Sequence, residues 1–315
     1  MILSGYNKFI FSIFSENKEY LVLSVYVVKI GERFISFLKI HYTKTNPSGK
    51  LLPSYVFNTK LNVIDCSDWD IVFSMGKIIF KEDEVKIEFS SNLVMVYLNY
   101  IWEQKGITPK SELGKDIVGN DIIQWNSFDF RSFVKGHFIT PYSTVEFKNA
   151  MGNIDLVKAR KFPAIVKGLL WSRLHHEDLD LAYSFIFNTA KKSDSKLYLL
   201  HNNNIIEFSD IDYHVNKEKV SSQKSVKYPD DIRLTVKNDN YEVSVNIHDN
   251  YEVNDREMVD TGFMERISDS LSWRHIGNPK GLRLLAKADI VINNNLTRTE
   301  FNGITSISEY VSFVK

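Results

Sequence analysis

Along most of this chain apolar and polar residues alternate one by one, the spacing of a half-buried β-strand rather than the three-to-four spacing of a helix. In KIIFKEDEVKIEFSSNLVMVYLNYIWE, Val85, Ile87 and Phe89 alternate with Lys86 and Glu88. The short polar interruption at Lys81–Glu84 predicts a hairpin, and Ser90-Ser91-Asn92 begins the next turn, so three strands follow in meander. RLTVKNDNYEVSVNIHDNYEV repeats the scheme, with Asp239-Asn240 as the turn and Tyr241, Val243, Val245 and Ile247 on one face. Lys105–Asn120, polar and interrupted by Pro109 and glycines, reads as a linker or long loop, and the stretch NKEKVSSQKSVKYPDD at 216–231 as a charged loop. A short helix is expected only within Asp269–Lys287. The pattern predicts an all-β protein of antiparallel sheets, wet on one face and dry on the other.

A length of 315 residues exceeds one ordinary domain, and we expect two β domains, 1–160 and 161–315. The 21 Phe and 15 Tyr suit strands and aromatic-lined cavities better than helices. Lys plus Arg and Asp plus Glu balance at 39 each, so no global charge recommends nucleic acid as a partner, while peripheral membrane contact stays open. Cys66 is the single cysteine, which removes any intrachain disulfide and any cysteine-based zinc site. No apolar run is long enough to span a bilayer as a helix, and the N-terminal stretch mixes Lys and Glu into its apolar residues, unlike a signal peptide; the expected location is the cytoplasm. GxGxxG, GxxxxGK[ST], GxSxG and HExxH signatures are absent, so the expectation is a protein without cofactor or metal.

Four passages carry a family resemblance: SMGKIIFKEDEVKIEF at 74–89, HFITPYSTVEFKNAMGNIDL at 137–156, LLWSRLHHEDLDLAYSFIF at 169–187, and GFMERISD at 262–269 with GITSISEYV at 303–311. Their order resembles the lipocalin-like family that includes the carotenoid 1,2-hydratases of the hydroxyneurosporene synthase type, bacterial AttH-like proteins, tocopherol-cyclase relatives and fungal decalin-forming Diels-Alderases. The resemblance implies two lipocalin-like antiparallel β-barrel or sandwich halves around apolar pockets. One departure matters: the hydratase-like members carry a Gly-Tyr-His-Asp-His-Asn-Trp-Gly type signature where this chain reads ARKFPAIVKGLLWSR. That shifts the expectation from alkene hydration towards members that use the fold as a shaped pocket.

The densest polar constellation is Trp171, Arg173, His175, His176, Glu177, Asp178 and Asp180. On a period of two, Trp171 and Arg173 share a face that in a barrel could be the lumen, where an arginine beside a tryptophan grips an anionic headgroup or a π-system. His175 to Asp178 fit a four-residue turn and read as a solvated hairpin tip, and adjacent histidines on a strand point to opposite faces, which argues against a metal. Ser-Trp-Arg-His at 272–275 repeats the theme, and Asp212-Tyr213-His214 forms a third set in a predicted strand. The candidate catalytic residues are therefore Trp171, Arg173, Tyr183 and Asp212, and the candidate ligand contacts are Trp125, Tyr213, Trp273, Arg274 and His275. Three functions remain open: a cofactor-independent cyclase, isomerase or hydratase acting on a hydrophobic polyene or isoprenoid-like molecule, in which a rigid pocket folds a flexible substrate into a reactive conformer; a non-catalytic carrier of such a ligand; and a purely structural or interaction protein with filled barrels.

Overall fold

The computed structural model describes residues 6–15, 17–30, 32–46, 52, 55–67, 70–103, 110–115, 121–159, 166–188, 195–202, 204–222, 226–253 and 280–312. Every regular element among them is a strand, as the alternating pattern requires. They fall into two compact units, the first within 1–110 and 124–160, the second within 111–123, 161–255 and 262–315.

The first sheet comprises β1 (Tyr6–Phe14), β2 (Glu19–Ile30), β3 (Arg33–Lys44), β4 (Tyr55–Leu61), β5 (Val63–Cys66), β6 (Asp70–Phe73), β7 (Gly76–Phe80), β8 (Glu84–Ser90), β9 (Met95–Trp102), β10 (Lys110–Lys115), β11 (Asp121–Thr140) and β12 (Ser143–Ala159). Its hydrogen-bonded path runs β4-β3-β2-β1-β12-β11-β9-β8-β7-β6-β5, with β10 beside β11. The two ends of that path, β4 and β5, are consecutive in the chain and separated by Asn62 alone. A sheet whose first and last strands share one residue of connection must curl until its edges meet, which gives a barrel around Phe9, Phe11, Leu23, Ile87, Phe89 and their neighbours.

The second sheet repeats the device with β13 (Val166–His176), β14 (Leu179–Asn188), β15 (Ser195–His201), β16 (Asn204–Ser209), β17 (Asp212–Val220), β18 (Lys227–Lys237), β19 (Tyr241–Glu252), β20 (Lys280–Asn294) and β21 (Arg298–Ser312). The path β16-β15-β14-β13-β21-β20-β19-β18-β17 again ends on consecutive strands, joined through Asp210 and Ile211. Its interior is packed by Leu170, Leu181, Phe185, Leu234, Val245 and Leu284, among others. The predicted hairpins form: Lys81 N bonds Glu84 O, and Asn238 N bonds Tyr241 O.

Three expectations need correction. Lys105–Asn120 is not wholly irregular, since Lys110–Lys115 pairs with β11 as a strand. Asn216–Asp231 is mostly strand; Lys217, Glu218 and Lys219 lie on β17, an end strand of the sheet path that leaves most of its side chains in water, and Lys227, Asp230 and Asp231 lie on β18. The part of Asp269–Lys287 that is described, from Lys280 on, is strand β20 rather than helix. There Leu282, Leu284 and Ala286 enter the core while Arg283 and Leu285 are buried as well, so the contrast between a wet and a dry face that marks a strand is lost.

Candidate functional site

Strand register builds a hydroxyl cluster inside the second barrel. Tyr183 of β14 stands opposite Ser172 of β13, Ser172 opposite Ser308 of β21, and Ser306, one step along, opposite Leu174 and Ala286. Even-numbered neighbours Leu170, Leu174, Ile304 and Tyr310 belong to the core, so these four hydroxyls share its interior. Ser172 Oγ donates to the Ile307 carbonyl at 3.1 Å and accepts from Ser308 Oγ at 2.8 Å. Ser306 lies 2.6 Å from Ser172 and 3.2 Å from Ser308, contacts in which either hydroxyl can donate.

The Tyr183 phenol is different. It is 0% exposed and near enough to the three serines for their hydroxyls to steady its anion, yet its oxygen makes no hydrogen bond of regular geometry. Burial pushes its pKa up to about 12, the serines opposing that rise, so it is a neutral donor at physiological pH. A buried hydroxyl left without a partner costs about 1–3 kcal/mol, which makes it the unbalanced group of this interior.

Aromatic rings connect it outward. Tyr183 stacks on Phe185 with centroids 6.0 Å apart, Phe185 on Tyr213 at 4.8 Å, and Phe187 meets Tyr213 edge-on at 5.5 Å. Tyr213 and Phe187 are partly exposed, so the ladder runs from solvent to the buried phenol. Alongside it the interior wall carries contiguous small side chains, Ser172, Ser306, Ser308, Ala286 and Ala288.

Trp171 and Arg173 do share a face, but it is the opposite one, and they are not joined to Tyr183: with Ser172 in the interior, its neighbours on both sides must point away from it. That second face is also buried. Glu309 stands between Trp171 and Arg283 in the register, pairs with Arg283 at 3.0 Å, and the Arg283 guanidinium lies 5.6 Å over the Trp171 ring. Farther along, His175 Nδ1 lies 2.5 Å from Asp180 Oδ1, both side chains essentially without solvent contact. The solvated four-residue tip is therefore corrected: the turn is Glu177-Asp178 alone, and His175 belongs to the buried strand. Sequence reasoning missed Arg283, Glu309 and the three serines, because strand pairing alone brings Arg283 to Glu309 and Ser172 to Ser306 and Ser308, the latter more than 130 residues away.

Asp212, a candidate catalytic residue, is exposed at the start of β17 and does not face the interior. Trp273, Arg274 and His275, and the GFMERISD passage, lie outside the described residues. Trp125 is buried in the first unit, on the strand that carries Asp129 four positions on. Asp129 accepts from Glu103 N at 3.1 Å and Ser132 Oγ at 3.3 Å, while its Oδ1 has no partner among the described residues. Desolvation outweighs those donors and raises its pKa from 3.8 to about 6. An acid whose folded pKa is raised destabilises the fold above that pKa, and the penalty fades as pH falls from about 6 towards 4. Asp129→Asn is accordingly expected to stabilise the protein by up to about 3 kcal/mol at pH 7.5 and by little at pH 4. Urea midpoints at the two pH values check it; a gain independent of pH contradicts the assignment.

No family model and no curated protein matches the sequence. Solved structures do match over nearly the whole chain. An AttH-type protein from Nitrosomonas europaea superposes with a TM-score of 0.62 at 11% identity, over 99% of this chain and 93% of that one. Kievitone hydratase from Nectria haematococca gives 0.57 at 11% identity, over 98% and 89%. CghA, crystallised with Sch210972, gives 0.59 at 8% identity, over 98% and 89%. The chain thus shares the two-barrel, lipocalin-like fold of the AttH, kievitone hydratase and CghA proteins, the fold its sequence resemblance implied.

Proposed function

We propose that the second barrel takes up a hydrophobic small molecule, of polyene or isoprenoid-like character, and that the protein cyclises, isomerises or hydrates it without a cofactor. The observation that carries this reading is the Tyr183 hydroxyl, a neutral donor left unbonded in an apolar interior and reached by an aromatic ladder. A dry, rigid cavity supplies orientation, worth up to about 7–11 kcal/mol for a flexible substrate, and a buried donor is stronger there than in water. Tyr183 then acts as the catalytic residue by hydrogen bonding to the group on which charge develops. Tyr213 and Phe185 would line the apolar part of the site. The enzymes sharing the fold support the reading, since one is a hydratase by name and another holds a small molecule in its crystal. The balanced charge recommends no nucleic acid, and the lone, half-buried Cys66 suits a reducing compartment such as the cytoplasm. Among the described residues no helix is long and apolar enough to cross a membrane.

Purified protein is incubated with candidate polyenes and followed by mass spectrometry and chromatographic retention. We expect product from wild type and a loss of about 100-fold in rate for Tyr183→Phe, the scale of one lost transition-state donor. Tight binding without product on any substrate points to the carrier instead.

A further inference from the structure

We infer that Asn302 is a site of spontaneous covalent modification, closing onto the Gly303 nitrogen as a succinimide and opening to isoaspartate, and that Asp289 is the latch that holds this reaction back.

Asn302-Gly303 is the single Asn-Gly step in the chain, and both residues are exposed. Asparagine is lost this way when the nitrogen of the next residue swings onto its Cγ, and a glycine there has no side chain to obstruct the swing. An amide locked in a regular ladder cannot make it. Here the ladder is interrupted: Ala288 pairs with Ile304 and Ile290 with Phe301, so Asn302 and Gly303 together stand opposite Asp289 alone, as a bulge in β21. Gly303 takes φ +66 in that bulge, and nothing lies within 4 Å of where a Cβ would be. Its N–H donates to a side chain, Asp289 Oδ1, at 2.8 Å. The other oxygen of that carboxylate lies 3.1 Å from His248 Nε2, so one contact chain ties β19, β20 and β21. The His248 and Asp289 side chains keep 29% and 38% of their exposure, which lets the latch open without the barrel unfolding.

Opening frees the amide. Gly303 N then bonds Asn302 Cγ, the Cγ–Nδ2 bond breaks, and ammonia leaves carrying the amide proton. Water adds to one of the two imide carbonyls and gives aspartate or, with one more carbon in the main chain, isoaspartate. Either product sets a new carboxylate near Asp289, in the strand that carries Ser306, Ser308 and Glu309.

The full chain is aged at neutral pH beside a synthetic peptide spanning Arg298–Ser308, and both are followed by peptide mass spectrometry. In wild type the amide-to-acid mass gain is expected at Asn302, at about a tenth of the peptide's rate or less, the worth of one hydrogen bond to a charged acceptor. Asp289→Ala should quicken it about tenfold for the same reason, and Asn302→Gln should remove it. A wild-type rate equal to the peptide's, or an Asp289→Ala rate no faster than wild type, overturns the latch. Asn302 staying intact in the folded Asp289→Ala variant while the peptide reacts overturns the site. His248→Ala keeps the carboxylate and covers the case in which Asp289→Ala does not fold. It should quicken hydrogen exchange at the Gly303 amide, and the ageing of Asn302, by about threefold, the scale of one exposed ion pair. Both rates unchanged in that variant overturn the latch as well.

Discussion

His175→Ala is expected to cost about 3–5 kcal/mol of stability, and its neighbour His176→Ala about 0.5 kcal/mol or less. The two histidines are adjacent, but strand geometry sends them to opposite faces. His175 is sealed against Asp180, and truncating it strips a fully buried carboxylate of its imidazole partner. Removing one partner of such a pair is far worse than never having had the pair, because the remaining charge keeps its desolvation penalty. His176 is only partly buried and rests its ring edge-on against Phe301 at 5.3 Å, a contact whose loss water largely replaces. Urea denaturation with wild-type and single variants measures both. Two silent substitutions would restore the solvated-tip reading and remove the buried pair. Asp180→Asn, which keeps a hydrogen-bonding oxygen, should fall between the extremes.

Gly136→Ala should be still more damaging to the first barrel, with a loss of 3 kcal/mol or more expected from about 1–3 kcal/mol of backbone strain plus a backbone collision. Gly136 sits within β11 opposite Leu98 at φ +140, and a Cβ built there lies 1.9 Å from the Tyr97 carbonyl oxygen of β9. That oxygen is backbone, so β9 and β11 must separate to admit the methyl group. Gly303 is the internal control: at φ +66 it carries the left-handed penalty of about 1–2 kcal/mol, but nothing lies within 4 Å of its Cβ. Chemical denaturation of the two alanine variants should rank them accordingly. If Gly303→Ala proves the worse, strain and not collision governs these positions.

These outcomes bear on what the proposed site depends on. The buried face that holds Trp171, Arg173, Arg283 and Glu309 shares β13 and β21 with the hydroxyl cluster, residue by alternate residue. A change such as Glu309→Ala, which leaves Arg283 without its 3.0 Å partner, therefore perturbs the strand that positions Ser306 and Ser308. Activity measurements on that face need to be read together with stability, whereas Tyr183→Phe deletes one hydroxyl and little else.

The alternation of residues such as Val85, Ile87 and Phe89 dictated strands, because a period of two leaves no other way to bury one side chain in two. The short polar breaks at Lys81–Glu84 and Asp239-Asn240 dictated where hairpins turn, and the family-like passages pointed to two barrels. What alternation cannot state is which of two faces is the inside. Along Leu169–Leu174 every residue is buried, so the contrast between wet and dry faces vanishes, and Ser172, Ser306 and Ser308 read as outward positions although they point into the core. Tyr183 could be named as a candidate, but its neighbours Ser306 and Ser308 lie more than 120 residues away, and only the pairing of β13 with β14 and β21 brings them together. Register between distant strands is a property of the closed sheet, set by how two edges meet, and no local run of residues contains it.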